Sequence, residues 1–420
     1  MCGIRESLNR WGVSPVAPQN AVPLILREQD PVSWLAQWAG ALLAGQSVLL
    51  ASPTLAGDEW ETIKRQWAES VFPEPSVLVA TGGTTGRLRW ARHTWATLTA
   101  SSEGFLRFFG QEAGNGVCVL PLHHVGGLMT VVRAVVSGGN VVFGDYREIG
   151  RSLYIPPGTT LSLVPTQLGR LLEDSEAVAG LRRAGRILLG GARASETLVE
   201  AARSHELPVS PCYGMTETAA LIAALRPECF LAGAVGVGKP LSHVALQWSE
   251  PVGSVDDLPP AARRLGVRSA AVCQGYWPET RDFQRDPFWT SDAASLDYRG
   301  NLHIHGRLDR TIISGGENVD AARVERVLQQ FPAIGAAVVL GVPDPDWGER
   351  VVAAVETAQR LDEQALKAWV AAHLAAYERP KQVLICPATT GFPRTDMGKI
   401  DAKRLAAAFA QQSSFLLPFS

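Results

Sequence analysis

The chain has 420 residues, of which 46% are hydrophobic and 19% charged, and its formal net charge is −2. This composition excludes a disordered chain, and the length exceeds what one ordinary core organises, so we expect two or three domains. No basic stripe stands out, which argues against a nucleic-acid partner. The six cysteines are scattered without a CxxC pair, which argues against a zinc site or a disulfide framework.

The sequence predicts no membrane segment. No run reaches about 18 uninterrupted apolar residues, the length that a membrane-spanning helix needs. The first residues, MCGIRESLNRWG, carry charge early and have no apolar core, so we expect no signal peptide. We therefore expect a cytoplasmic protein with reduced thiols.

Short apolar, β-branched segments recur through the first half of the chain and are closed by Gly, Pro or Ser. They lie at 76–80, 116–122, 140–146, 160–166 and 186–191. Helix-patterned segments separate them, one of which begins after Ser195, a favourable N-cap. This alternation predicts an α/β fold of layered sheets, with parallel strands buried on both faces.

The pattern changes from about residue 233, where shorter strands and turns predict a β-rich subdomain. After Arg310 the chain restarts with a helix, two strands and a second helix, which predict a small α+β domain. We therefore expect a large N-terminal domain at 1–308 and a small, mobile C-terminal domain at 309–420.

A loop rich in glycine and threonine, TGGTTGRLR, follows the strand predicted at 76–80. Small residues allow a tight turn whose backbone N–H groups and hydroxyls can surround phosphate oxygens. The loop lacks the GK[ST] ending of a Walker A motif, and a simple strand-to-helix turn is the alternative. The candidate phosphate-binding residues are Thr81, Gly82, Gly83, Thr84, Thr85, Gly86 and Arg89.

Three further segments carry groups that a nucleotide site requires. CYGMTETAA offers the ring of Tyr213 and the carboxylate of Glu217, which can hold Mg²⁺ beside a phosphate, although the string also fits a helix start. Asp292 in WTSDAASLD can accept two ribose hydroxyls or form a Ser-Asp turn. Lys399 in TDMGKIDAKRL by itself fits a solvated surface lysine, but it also offers a cation that can stabilise charge between a carboxylate and a phosphate.

A fifth motif, GRLDRTIISGGEN at 306–318, completes an ordered set that runs from Thr81 to Lys399. The set resembles the adenylate-forming superfamily of acyl- and aryl-CoA ligases, whose members activate carboxylic acids with ATP and Mg²⁺ and transfer them to CoA. The chain departs from the family pattern at Leu88 and Arg89, where Pro and Lys are usual.

The resemblance implies a role for each matched residue. The implied catalytic residues are Lys399, Thr216 and Glu217, the last also as the Mg²⁺ ligand. The nucleotide would contact the phosphate loop together with Tyr213, Gly214, Asp292 and Arg307. The hinge of the small domain would be Asp309, and the CoA tunnel would include Gly315 and Gly316.

Blocks at 92–95, 120–129, 162–172 and 188–195 look most like the o-succinylbenzoate–CoA ligase family of menaquinone and phylloquinone biosynthesis. That resemblance implies ATP-dependent ligation of o-succinylbenzoate to CoA through an acyl-adenylate. The second carboxylate of this acid requires a cation or several donors within an apolar pocket. The candidate pocket residues are His124, Arg92, His93, Thr166, Gly190 and Gly191, with Arg133 as a further candidate partner of the carboxylate.

Two alternatives stay open. One is another acyl- or aryl-CoA ligase of the superfamily, or a module that loads a carrier protein; the other is a non-catalytic acyl-adenylate-binding relative. A metal pair at His123 and His124 is disfavoured, because adjacent residues on a strand point to opposite faces. The superfamily often forms homodimers, and the sequence leaves the oligomeric state open.

Overall fold

The computed structural model describes residues 9–12, 14–15, 23–53, 55, 58–81, 89–251, 262–279, 283, 286–308, 311–314, 317–344, 347–395, 400–410 and 416–418. Its fold is mixed α/β with layered sheets, as the sequence predicts. Contacts between Cα atoms divide the chain into two compact units. The first comprises Met1–Trp248, Leu265–Thr290 and Ser295–Ile304, and the second comprises Ser249–Arg264, Ser291–Ala294 and His305–Ser420.

The first sheet has five strands in the described residues. Their order is Leu24–Leu26, Val48–Leu50, Ser76–Thr81, Arg89–Thr94 and Tyr276–Trp277. The first three strands run parallel to one another, and each of the last two is antiparallel to the strand before it in this order. Helices Pro31–Leu43 and Asp58–Ala68 contribute tryptophans to two separate cores, one of which packs Trp67 and Trp90 against Trp277, each at 5.6 Å between ring centroids. This packing fixes the position of Tyr276, which precedes Trp277.

The second sheet, called the parallel sheet below, has seven strands in the described residues. Their order is Lys239–Pro240, Ala220–Ala224, Val209–Met215, Arg186–Leu189, Thr160–Leu163, Gly116–Cys118 and Val141–Phe143. The last five of these run parallel, which confirms the predicted layering. The helices that accompany them are Trp95–Phe109, Val125–Ser137, Pro165–Leu172, Ser175–Leu181, Glu196–Ser204 and Pro227–Leu231. Short 3-10 turns lie at Tyr146–Glu148 and Thr216–Thr218.

Helix boundaries in this unit follow local capping chemistry. Thr94 and Thr97 form a reciprocal capping box at the start of Trp95–Phe109, and Gly110 ends that helix with a left-handed φ of 63°. Ser195 caps the helix Glu196–Ser204 by accepting a hydrogen bond from the Leu198 backbone N–H, as predicted.

The predicted β-rich region contains a four-stranded sheet, in the order Ala245–Pro251, Arg263–Arg268, Phe288–Leu296 and Leu302–Arg307. The C-terminal residues contain helices Ala321–Gln329, Glu363–His373 and Ala402–Ala410. Their strands are Thr311–Ser314, Glu317–Asp320, Ala336–Asp344, Gly348–Thr357, Gln382–Pro387 and Leu416–Pro418. A long antiparallel pair, Ala336–Asp344 with Gly348–Thr357, forms the centre of this α+β fold. Among the helices of the described residues, none combines the length and the hydropathy that crossing a membrane would need.

Candidate active site

The loops at the carboxyl edge of the parallel sheet carry most of the predicted pocket residues. Strands Gly116–Cys118 and Thr160–Leu163 are neighbours, and the strands that follow each of them in the chain lie on opposite sides. Open α/β sheets bind ligands at such a switch point, outside the carboxyl ends of the strands. The predicted residues that follow these two strands and the next two along the sheet are His124, Thr166, Gly190, Gly191, Thr216 and Glu217.

Two glycines at this edge are closely packed. A Cβ on Gly214 would lie 1.9 Å from the carbonyl oxygen of Ala220, and a Cβ on Gly190 would lie 2.9 Å from the Cys212 Sγ. The backbone contact at 1.9 Å excludes any side chain at Gly214, whereas a side chain at Gly190 would require Cys212 to shift. The predicted site glycines therefore shape the strand ends that carry the polar residues.

The turn after strand Val209–Met215 is strained. Thr216–Thr218 forms a 3-10 turn, and Ala219 and Ala220 follow it with φ angles of 49° and 74°. Left-handed backbone costs a residue with a side chain roughly 1–2 kcal/mol, so the surroundings must hold it. The hydroxyls of Ser101 and Thr218 do so by donating to the carbonyls of Ala219 and Ala220, at 2.7 and 2.8 Å. Strain that is held in this way is typical of functional sites.

His93 lies directly beneath this turn. Its Nε2–H donates to the Thr216 carbonyl oxygen at 2.7 Å, and Nδ1 is 3.0 Å from the Thr97 hydroxyl. A carbonyl only accepts, so Nε2 carries the proton and Nδ1 is the acceptor. Burial lowers the pKa of His93 to about 4, which keeps the ring neutral. The side chain is 0% exposed, so it supports the turn from inside instead of facing an open pocket.

Glu217 is buried and hydrogen-bonded through both its side chain and its backbone. Its Oε1 accepts hydrogen bonds from the Thr81 hydroxyl at 3.0 Å and the Tyr276 hydroxyl at 2.7 Å. Burial and the Glu217 charge raise the pKa of Tyr276, so the phenol stays protonated and donates. The Cys273 N–H holds the Glu217 carbonyl oxygen at 2.8 Å. The carboxylate is therefore fixed in orientation before any ligand binds.

Arg89, which stands where the family has Lys, contacts this group from one side. Its guanidinium carbon lies 4.4 Å from the Tyr276 ring centroid, and Nη1 lies 3.6 Å from the Glu279 Oε1. The planar guanidinium can stack on a ring in a way that an ammonium cannot. Arg89 therefore keeps a positive charge at the position where the family has Lys, and places it beside Tyr276. Binding of phosphate by Arg89 stays a prediction.

Three of the predicted carboxylate partners do not converge. Arg92 and His93 are adjacent in strand Arg89–Thr94, so their side chains leave opposite faces and cannot line one pocket together. Arg133 is buried at the opposite edge of the parallel sheet, beside the strand beginnings Gly116 and Thr160. Of the candidates, His124 and Thr166 are the two that lie at the switch point.

The remaining predicted residues divide into two groups. Asp292 lies buried in strand Phe288–Leu296, and Arg307 is the exposed last residue of strand Leu302–Arg307, both in the second unit. Tyr213 is half-buried in strand Val209–Met215. The others fall outside the described residues, namely Gly82, Gly83, Thr84, Thr85, Gly86, Asp309, Gly315, Gly316 and Lys399.

The base of the segment that carries Lys399 is well defined. Arg394 and Ile400 form an antiparallel bridge, and the Asp401 N–H donates to the Pro393 carbonyl at 2.8 Å. Glu356 Oε1 accepts from the Phe392 N–H at 2.5 Å and lies 4.0 Å from the Arg394 Nη2. The described residues on either side of 396–399 are therefore held close together.

Tyr276 and Ser101 belong to this site but are missed by the sequence analysis. Tyr276 lies 59 residues after Glu217, and Ser101 lies 118 residues before Ala219. Neither stands in one of the five motifs, and a single sequence carries no signal for such long-range hydrogen bonds.

Comparison with known proteins decides the family. The AMP-binding enzyme family matches residues 66–277, and the AMP-binding enzyme C-terminal domain matches residues 323–399. The chain belongs to the AMP-binding enzyme family. This confirms the superfamily assignment that the five motifs predict.

Named relatives of this AMP-binding enzyme point to one group of ligases. It is 32% identical over 338 residues to 2-succinylbenzoate–CoA ligase of Staphylococcus aureus, an alignment that covers 78% of this chain. The chain spans 66% of the length of that relative. The structure of o-succinylbenzoate CoA synthetase (MenE) from Bacillus subtilis with the acyl-adenylate OSB-AMP is 25% identical, with a TM-score of 0.72 over 96% of this chain and 90% of that one. ATP-bound MatB from Rhodopseudomonas palustris shares the fold, at 21% identity and a TM-score of 0.75 over 97% and 92%.

Proposed function

We propose that this AMP-binding enzyme is an acid–thiol ligase that joins o-succinylbenzoate to CoA through an acyl-adenylate. The observation that carries the proposal is Glu217, a buried carboxylate on a strained turn at the carboxyl edge of the parallel sheet, held by two hydroxyls. The relatives named for 2-succinylbenzoate ligation support the choice of acid.

The donor set at Glu217 fits Mg²⁺. This ion takes oxygen ligands and usually binds through one or two carboxylates together with substrate phosphates. Thr81 and Tyr276 both donate to Oε1, so the carboxylate is held in place with Oε2 as the oxygen for the ion. Bound there with ATP, Mg²⁺ would neutralise charge on the pyrophosphate that leaves.

In the first step, a carboxylate oxygen of the acid attacks the α-phosphorus of ATP, and the bond to pyrophosphate breaks. Thr216 would bind the α-phosphoryl oxygens, and Lys399 would stabilise the charge shared by the two reactants. In the second step, the CoA sulfur attacks the acyl carbon and releases AMP, while the thiol proton leaves to solvent. Tyr213, Gly214, Asp292 and Arg307 would bind the nucleotide in both steps.

We propose that the two steps use two domains, 1–308 and 309–420, with Asp309 as the hinge. Residues 82–86 would bind the phosphates, and Gly315 and Gly316 would line the path of CoA. We further propose a cytoplasmic location, small-molecule substrates only, and a homodimer.

For the acid itself, we propose that His124 and Thr166 bind the aryl carboxylate that survives the reaction. They follow the two strands at the switch point, whereas Arg92, His93 and Arg133 lie elsewhere. Gly190 and Gly191, with φ of +81° at the latter, would form the adjacent wall without side chains. A pocket built in this way supplies polar groups at one end and leaves room for the aromatic ring.

The experiment that tests this function is pyrophosphate release with ATP and Mg²⁺ over a panel of acids, with and without CoA. We expect turnover with o-succinylbenzoate that CoA stimulates strongly, and none with benzoate or medium-chain fatty acids. Turnover with a different acid would keep the mechanism and overturn the pocket assignment. No turnover with any acid, from folded protein, would favour the binding-protein alternative.

Tyr276→Phe should raise the Mg²⁺ concentration needed for half-maximal activity by roughly tenfold or more. The change removes one hydrogen bond to a buried carboxylate, which is worth about 1.5–3 kcal/mol, and leaves the ring and its contacts. The measurement is adenylation rate against Mg²⁺ concentration at saturating ATP. Tyr298→Phe is the matched control because that ring is 90% exposed. An unchanged Mg²⁺ curve in Tyr276→Phe would show that the phenol does not position Glu217.

A further inference from the structure

A second polar cavity lies at the amino edge of the parallel sheet, opposite the loops of the candidate active site. It is lined by Phe105, Gly114–Gly116, Thr130, Arg133 and Thr160, is small, and is partly open to solvent. Gly116 and Thr160 are the first residues of their strands, and these strands run parallel. We call this space the Arg133 cavity.

The guanidinium of Arg133 lines this cavity, and that of Arg186 lies close behind it. Both groups lie over the same ring, with their Cζ atoms 4.2 and 5.9 Å from the Phe105 centroid. Arg133 is only 4% exposed, and its Nε has no hydrogen-bond partner. Arg186 Nη1 donates to the hydroxyl of Thr160, a residue that lines the cavity, at 3.1 Å.

No acidic group in the described part of the chain forms an ion pair with either guanidinium. Burial lowers the pKa of Arg133 to about 10, so the group is still charged at neutral pH. The nearby Cys212 thiol supplies no negative charge, because burial raises its pKa to about 12. Stacking on Phe105 offsets part of the desolvation cost, but a buried cation is stable only when paired or well hydrogen-bonded.

We propose that the Arg133 cavity binds a small inorganic anion, of the halide or phosphate class, as a structural counter-ion of Arg133 and Arg186. The space is too small for a nucleotide or an acyl substrate. Asn115 lines the cavity, and its Oδ1 already accepts from the Asn140 N–H at 2.8 Å, so its amide end is the further donor for an anion.

The test is thermal unfolding of the full chain in sodium gluconate, whose anion is too bulky for the cavity, against sodium chloride and sodium phosphate at equal ionic strength. We expect chloride or phosphate to raise the Tm of the wild type by roughly 2–4 °C. Arg133→Met should lose this response and be at least as stable as the wild type in gluconate, since it removes an uncompensated buried charge. Arg147→Met, which removes an exposed arginine, should respond like the wild type.

A second variant keeps the test independent of whether Arg133→Met folds. Asn115→Asp places a fixed negative charge in the cavity and keeps the acceptor for Asn140. It should raise the Tm in gluconate and abolish the response to chloride and phosphate. Equal Tm values of the wild type in all three salts, or an Arg133→Met variant that responds as the wild type does, would overturn the proposal. Ligase activity plays no part in either readout.

Discussion

Lys399→Ala should reduce o-succinylbenzoate-dependent pyrophosphate release by at least about 10²–10³-fold. The lysine would supply the cation that stabilises charge shared by the attacking carboxylate and the α-phosphoryl group, and preorganised groups of this kind contribute about that much to rate. The measurement is the adenylation half-reaction at saturating ATP and acid. The second half-reaction, from supplied acyl-adenylate and CoA, should stay within a few-fold of the wild type because its charge develops at the acyl carbon.

The control for Lys399→Ala is Lys403→Ala, four residues later at an exposed position of helix Ala402–Ala410. It should leave both half-reactions unchanged. Equal loss of the two half-reactions in Lys399→Ala would contradict a role confined to adenylation. If Lys399→Ala retains both half-reactions, Lys399 has no role in the mechanism, and another residue must supply the cation.

Glu217→Gln should lower adenylation by roughly 10²-fold or more and remove most of its dependence on Mg²⁺. Glutamine keeps the acceptor oxygen for Thr81 and Tyr276 but cancels the charge that would hold the ion. The turn should therefore fold as before, which thermal unfolding checks. The kinetic measurement is the adenylation rate as a function of Mg²⁺ concentration.

Glu228→Gln is the matched control, because that carboxylate is exposed and pairs with Arg226 at 3.9 Å. It should change neither the rate nor the Mg²⁺ curve. A Glu217→Gln variant with wild-type Mg²⁺ dependence would place the metal ligand at another carboxylate. If Glu217→Gln does not fold, the carboxylate is needed for the stability of the turn at Thr216–Thr218.

Local sequence determines the elements that this chain forms and the family to which it belongs. Strand-forming segments alternate with helical ones because the hydrophobic period changes between 2 and 3.6 residues, and each motif is a short backbone feature. Gly214 is of this kind, because the backbone of Ala220, close by in the chain, excludes any larger residue. The predicted layering, the β-rich region and the superfamily could therefore be read without the structure.

Tertiary structure decides which of the predicted side chains act together. Strand alternation separates Arg92 from His93, burial places His93 beneath the turn, and the direction of helix Val125–Ser137 takes Arg133 to the amino edge. Tyr276 reaches Glu217 across 59 residues, and Thr81 across 136. Contacts of this range depend on how sheets and helices pack, and no local pattern in the chain encodes that packing.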